Sequence, residues 1–460
     1  MGNKKNAWLK FDNTKKEEIF SFCEGYKKYI SDCKTERESI KEAIYLAESK
    51  GYRNLKNVIS AGKSLKAGDK VYYNNMDKSL ALFLIGSESI ESGMRIIGSH
   101  VDSPRLDLKP NPLYEDSELS LMETHYYGGV KKYQWVTIPL ALHGVVVKKD
   151  CTKIDVVVGE EETDPVVMVS DLLVHLASEQ QQKKATEVIA GEDLNILVGS
   201  MPLEGEEKEA VKANILKLLK EKYDFEEEDF MSAEIEIVPA GKARDLGLDR
   251  SMVAGYGHDD RICAYTSLLA LLETESTKKT SVVLLVDKEE VGSIGATGMQ
   301  SRFFENAVAE LMDRVGEYSE LKLRRALANS KMLSSDVTAA FDPNYAGAYE
   351  KKNSAFFGKG LAFAKYTGAR GKSGCNDANA EFVAWLRNVM DENDVAYQMA
   401  ELGKVDQGGG GTIAYILAEY GMEVIDCGVA LQNMHAPWEV ASKVDIFETM
   451  RGYKAFLMAE

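Results

Sequence analysis

Two histidines and a set of carboxylates stand where short apolar runs give way to polar residues. Met94–Gly98 ends at His100 and Asp102, and Ser281–Val286 ends at Asp287, Glu289 and Glu290. Met332–Leu333 leads to Asp336. Met422–Ile425 runs into Asp426, and a short loop then reaches His435. Imidazole and carboxylate without cysteine make a nitrogen-and-oxygen donor set. Such a set suits zinc, cobalt or manganese better than an iron–sulfur cluster or a closed structural zinc site. Adjacent carboxylates such as Glu289 and Glu290 point in different directions, so one can ligate while its neighbour acts on water. A carboxylate shared by two ions holds them about 3.5–4 Å apart, the spacing of paired-metal hydrolysis. Gly257-His258-Asp259-Asp260-Arg261 reads as the opening of a helix, where an aspartate gains from the helix N-terminus and is a candidate for that shared ligand.

Taken singly, each piece has an ordinary explanation. Asp259-Asp260 is a common N-cap pair, Glu289-Glu290 a solvated turn, and Gly408–Gly411 a flexible turn. His175, in Asp171-Leu172-Leu173-Val174-His175-Leu176, is a packed or interface histidine. The weight lies in their joint occurrence at several strand ends. Open α/β sheets bind ligands at the carboxyl ends of their strands, so these groups can converge although they are far apart in sequence.

The elements that must position them follow from periodicity. Residues 15–50 read as one or two amphipathic helices stopped at Gly51, and a strand pair is expected at 71–73 and 80–85. Past Pro104 the texture becomes β-rich. Strand-like runs fall at 119–122, 135–142, 145–147, 154–158 and 233–238, with a helical stretch at 171–180 and a charged surface helix within 203–229. From Gly257 onward helix and strand alternate, which implies a mostly parallel or mixed sheet with helices on both faces. The expected fold class is therefore α/β. A catalytic domain is assembled from residues 1–104 and 246–460, and a β-rich domain is inserted over 105–245. The insertion separates His100 from Asp259 by 159 positions (259 minus 100), too far for a loop.

Composition narrows the classes. A chain of 460 residues favours two domains. A net charge of −17 argues against a nucleic-acid partner, which needs a basic footprint. The six cysteines form no CxxC pair and read as reduced thiols. No apolar run reaches the roughly 18 residues of a membrane helix, and the N-terminal residues lack an apolar signal core. The expectation is a cytoplasmic protein with no membrane partner.

Several segments together resemble the M18 family of metallo-aminopeptidases, whose best-known members are the aspartyl aminopeptidases. They are Gly98-Ser99-His100-Val101-Asp102-Ser103-Pro104, Tyr127-Gly128-Gly129, His258-Asp259-Asp260-Arg261, Asp287-Lys288-Glu289-Glu290-Val291-Gly292-Ser293, Ser335-Asp336, Asp342-Pro343-Asn344-Tyr345 and Met434-His435. The resemblance implies two divalent ions per subunit, zinc first, with cobalt or manganese as alternatives. His100, Asp259 and Asp336 would hold one; Asp259, Glu290 and His435 would hold the other. Glu289 would be the general base, and Asp102 would orient His100. Lys365 would face the first residue of a peptide substrate. Lys372 stands where the aspartyl enzymes commonly carry tyrosine, and His258 where the family often has an apolar residue. In the family the inserted domain makes dimers that build a hollow dodecamer, and a histidine at the place of His175 reaches the neighbour's site. Rival readings are a di-metal carboxypeptidase or deacylase, and a scaffold without catalysis.

Overall fold

The computed structural model describes residues 5–368 and 370–460. Two compact units emerge. One comprises the chain up to Asp102, Ala243–Met434 and Glu439–Glu460; the other comprises Ser103–Lys242 and His435–Trp438.

The first unit is built on a nine-stranded sheet. Its order is Arg53–Asn54, Lys70–Asn75, Ser79–Leu84, Ser281–Val286, Arg95–His100, Lys331–Ser335, Glu423–Gly428, Leu361–Ala364 and Tyr397–Met399. The four strands from Ser281–Val286 to Glu423–Gly428 run parallel. Register aligns their carboxyl ends: His100 pairs with Val286, and Ser334 pairs with both Gly98 and Asp426. These strands are buried on both faces, which is why they read as continuous apolar runs rather than alternating ones.

Period-two geometry then sends alternate residues into two cores. Ile97, Val283, Leu285, Leu333 and Ile425 join one, with Phe382 and Leu386 of helix Ala380–Glu392 and Phe447, Tyr453 and Phe456 of helix Lys443–Met458. Ile96, Val282, Leu284, Met332 and Val424 join the other, with residues of helices Phe303–Val315 and Glu320–Ala328. The N-terminal helices Asn13–Asp32 and Glu36–Ser49 are capped by side chains. Asp12 accepts from the Lys15 amide at 2.8 Å, and Thr35 and Glu38 form a reciprocal capping box. A small five-stranded sheet of Arg244–Leu246, Met252–Gly255, Glu439–Ser442, Ala430–Gln432 and Thr338–Ala339 completes this unit.

The second unit is a seven-stranded antiparallel sheet with helix Ala210–Tyr223. Its longest strand, Arg105–Asp116, is not evident in the sequence because Pro110 and Pro112 interrupt it. Pairing with Leu119–Tyr127 jumps from Leu108 to Leu113, so both prolines sit in the irregularity, where no ladder donor is needed. The runs at 135–142 and 145–147 are one strand, Leu140–Val147, preceded by the short helix Lys132–Gln134.

The helix expected at 171–180 does not form. The Asp171 carboxylate accepts from the Leu172 amide at 2.8 Å and from Gln180 Nε2 at 2.9 Å, closing the segment into a loop with two consecutive turn bonds, Leu176 N–H to Leu173 O and Ala177 N–H to Val174 O. Only Gln180–Gln182 is helical. With Leu172, Leu173, Val174 and Leu176 all exposed, no packed face rewards a helix of this length. Among the described residues no helix is long and apolar enough to cross a membrane.

Candidate metal centre

His100 is the last residue of its strand and is buried. Its Nδ1 lies 2.9 Å from the Asp102 backbone oxygen, with Asp102 Oδ1 3.3 Å away. Donation from Nδ1 fixes the tautomer and turns the Nε2 lone pair toward the site. There Nε2 meets carboxylate oxygens: Asp259 Oδ1 at 3.1 Å, Asp336 Oδ1 at 3.8 Å and Glu289 Oε2 at 3.9 Å. Ligand atoms of His100, Glu289 and Glu290 also lie within 4.8 Å of one another, as do those of His100, Asp260 and Asp336.

The supporting backbone explains this convergence. Glu289–Val291 is a single turn between two left-handed residues, Lys288 (φ 70) and Gly292 (φ 95), directly after strand Ser281–Val286. Asp102 grips that turn from the neighbouring strand end. Its two carboxylate oxygens accept the amides of Glu289 and Glu290 at 3.1 and 3.2 Å. One residue thus holds both the ring of His100 and the backbone beneath two further acids. Asp336 follows strand Lys331–Ser335, and its amide donates to the Cys427 carbonyl at 2.8 Å. Asp259 has non-helical torsions (ψ 107), and its amide donates to Glu439 Oε2 at 3.0 Å.

Two further strand-end acids are engaged by hydroxyl groups. Asp287 is occupied by the Thr297 hydroxyl, which donates at 2.6 Å; Asp426 is occupied by that of Thr412, also at 2.6 Å, just past the glycine tract. His435 lies in the short segment grouped with the second unit. Its Nδ1 is 2.9 Å from the Gly129 carbonyl, the same tautomer-fixing arrangement as at His100. His175 is exposed in its turn. Lys365, just past strand Leu361–Ala364, is 3.9 Å from Asp377, which also pairs with Lys372 at 2.6 Å. His258 is no candidate ligand: it is fully buried with its Nδ1 against the Tyr26 hydroxyl at 2.5 Å, and burial lowers its pKa to about 3. Asp260 is the residue to which sequence reasoning assigns no role of its own. It is fully buried, and its Oδ2 accepts the His100 amide at 3.3 Å. Its position directly after Asp259 is the only signal of this in the sequence.

Electrostatics point to a cation. Burial pushes Glu289 up to about 8, reinforced by Asp336, Asp102 and Asp259 and opposed by His100. Burial likewise raises Asp260 and Asp336. Burial alone would lower His100, but hydrogen bonds to Asp102, Asp259 and Asp336 carry it well above its ordinary value. A site of buried acids that hold on to protons is short of positive charge, and a divalent ion at the His100 Nε2 face would supply it. Nitrogen and oxygen donors, with no thiolate among them, fit zinc or a similar ion.

The sequence matches the model of the family "Aminopeptidase I zinc metalloprotease (M18)" over residues 29–457. The chain belongs to this family. A probable M18 family aminopeptidase 1 of Clostridium acetobutylicum is 66% identical, over 98% of each chain. The crystal structure of an M18 aminopeptidase from Thermotoga maritima superposes with a TM-score of 0.94 at 45% identity, covering 99% of both chains. The S. cerevisiae mApe1 dodecamer, at 20% identity and a TM-score of 0.76, covers 95% of this chain and 96% of its own; it shares the fold. The acidic cluster is thus found in a chain of the M18 zinc metalloprotease family.

The metal-free aminopeptidase should lose stability as pH rises from about 6.5 to 8. Glu289 (about 8), Asp426 and Asp445 (each about 7) keep protons in the folded state that the unfolded chain has already released, and His100 acts in the same direction. His258 opposes this only below its ordinary value of 6.5. Thermal unfolding of chelator-treated protein should show a falling Tm across this window, and added zinc should restore it. A flat or rising Tm would contradict the charge assignment.

Proposed function

We propose that this metallo-aminopeptidase binds two divalent ions per subunit, zinc or alternatively cobalt or manganese, and removes the N-terminal residue of peptides. His100, Asp259 and Asp336 hold one ion; Asp259, Glu290 and His435 hold the other. The observation that carries the reading is His100 Nε2 facing carboxylate oxygens at 3.1–3.9 Å. When bound, such ions polarise the scissile carbonyl and lower the pKa of water. Glu289 takes the proton of the attacking water and passes it to the leaving amine. Its tendency to hold a proton when the site lacks a cation makes it a group poised near neutral pH. Asp102 keeps Glu289 and His100 in register through its hydrogen bonds.

Lys365 favours an acidic first residue. Its ion pair with Asp377 is half exposed and competes only weakly with a substrate carboxylate. The subunits assemble as dimers, up to a dodecamer, in the cytoplasm. The exposed apolar run around His175 is the kind of surface that a second copy covers. His175 then serves the neighbour's site, donating a hydrogen bond to the developing oxyanion.

Glu289→Gln should retain zinc and fold but lower kcat by roughly 10²–10⁴, the usual worth of general acid–base catalysis. A panel of aminoacyl-amide substrates reads this out, and free against blocked N-termini separates an aminopeptidase from a deacylase. On the same panel Lys365→Met should penalise acidic residues more than neutral ones. Near-normal kcat in Glu289→Gln would move the base elsewhere, and equal losses for Lys365→Met would make that lysine structural.

Assembly is tested by complementation. Glu289→Gln subunits mixed with His175→Ala subunits should regain activity above either parent, because some mixed dimers contain one complete site. A mixture as inactive as its parents, despite measured subunit exchange, would sink the shared site.

A further inference from the structure

The backbone that carries Asp259 and Asp260 is pinned from behind by the N-terminal helix. His258, directly before Asp259, is fully buried, and its Nδ1 lies 2.5 Å from the hydroxyl of Tyr26 on helix Asn13–Asp32. The two rings pack 5.6 Å apart. On the other side of this junction the Asp259 amide donates to Glu439 at 3.0 Å. Between strand Met252–Gly255 and the helical turns that follow, the chain passes through Gly257 (φ 72), Asp259 (φ −79, ψ 107) and Asp260 (φ −115, ψ 23). Neither a sheet ladder nor regular helical torsions define this stretch. Side-chain contacts at His258 and Glu439 therefore set the direction in which the aspartates leave the backbone.

Tyr26 is well placed to transmit that setting. Its ring lies 5.5 Å from that of Tyr265, on the same helix as His258. A Cβ at the preceding residue, Gly25, would come within 2.8 Å of the Tyr265 hydroxyl, so the helices approach closely. Arg261 donates to the Lys34 carbonyl at 2.6 Å, just past the end of the N-terminal helix. The N-terminal helix and its end thus contact the segment that begins at His258 at several points.

We propose that Tyr26 is a positioning residue for the metal centre: its hydroxyl, acting through His258, orients the backbone from which Asp259 and Asp260 project. The inference rests on the metal-centre reading above. Partners that orient ligands from behind typically change metal affinity or activity about 10–100-fold when removed, and Tyr26→Phe should fall in that range.

The experiment uses the full chain, stripped of metal, with Tyr26→Phe and Tyr29→Phe compared. Tyr29 lies one turn further along the same helix, and its ring also packs on Tyr265, at 5.0 Å. Zinc affinity is measured by competition with a chromogenic chelator, alongside the Tm of the metal-free forms. Tyr26→Phe should bind zinc about 10–100-fold more weakly, with a metal-free Tm close to that of Tyr29→Phe and an unchanged KM at saturating zinc. Tyr29→Phe should keep the unaltered affinity. Adding Tyr26→Phe to His258→Leu should cost nothing further, because the route through the imidazole is already gone. Unaltered zinc affinity in Tyr26→Phe, or full additivity in the double variant, would overturn the positioning role. Failure of the unaltered chain to bind zinc would overturn the metal-centre reading instead.

Discussion

The His100 Nε2 atom faces three carboxylate oxygens at 3.1–3.9 Å in a buried site, and that arrangement demands a positive charge. Lone pairs of nitrogen and ionised oxygens at such distances repel strongly where water cannot screen them. Either protons or a cation must sit among them. The raised values of Glu289, Asp260 and Asp336 and of the imidazole itself express the same requirement. Arg261, two residues beyond Asp259 and itself buried, turns its terminal nitrogens elsewhere, to the carbonyls of Lys34 and Tyr256.

The rest of the first unit keeps these acids together against that repulsion. Four parallel strands end at one edge, and register brings together the groups at the ends of Arg95–His100, Ser281–Val286 and Lys331–Ser335. Asp102 links two of those ends through one carboxylate. Between the other two, a Cβ on Gly428 would overlap the Asp336 carbonyl oxygen, so backbone meets backbone with no side chain between. Two cores, one on each face of the sheet, make this edge stiff. Stiffness is what lets a site store charge repulsion until a cation relieves it.

Much of this is legible in the sequence, and the reasons are physical. Strands buried on both faces announce themselves as apolar runs, so Ser281–Val286 and Arg95–His100 can be placed within a residue or two. The residues at their ends can be named from the amino-acid order alone. Context-dependent features are not legible. The strand Arg105–Asp116 hides behind Pro110 and Pro112 because proline is tolerated at an irregularity that only its partner strand defines. The apolar run at 171–180 carries a helical pattern but no packed face, and Asp171 closes it into a loop instead. His258 draws notice for its residue type, yet its ring meets a tyrosine 232 positions away. Asp260 looks like half of a cap, and only the fold reveals that it accepts the His100 amide.

The most direct test of the charge argument is a count of protons. Zinc binding to the metal-free aminopeptidase at pH 7 can be followed by calorimetry in buffers of different ionisation enthalpy, which yields the protons released per ion. If the acids around His100 are held protonated for want of a cation, binding must expel at least one proton, and affinity must rise with pH. Zinc binding with no proton release and no pH dependence between about 6 and 8 would contradict the account.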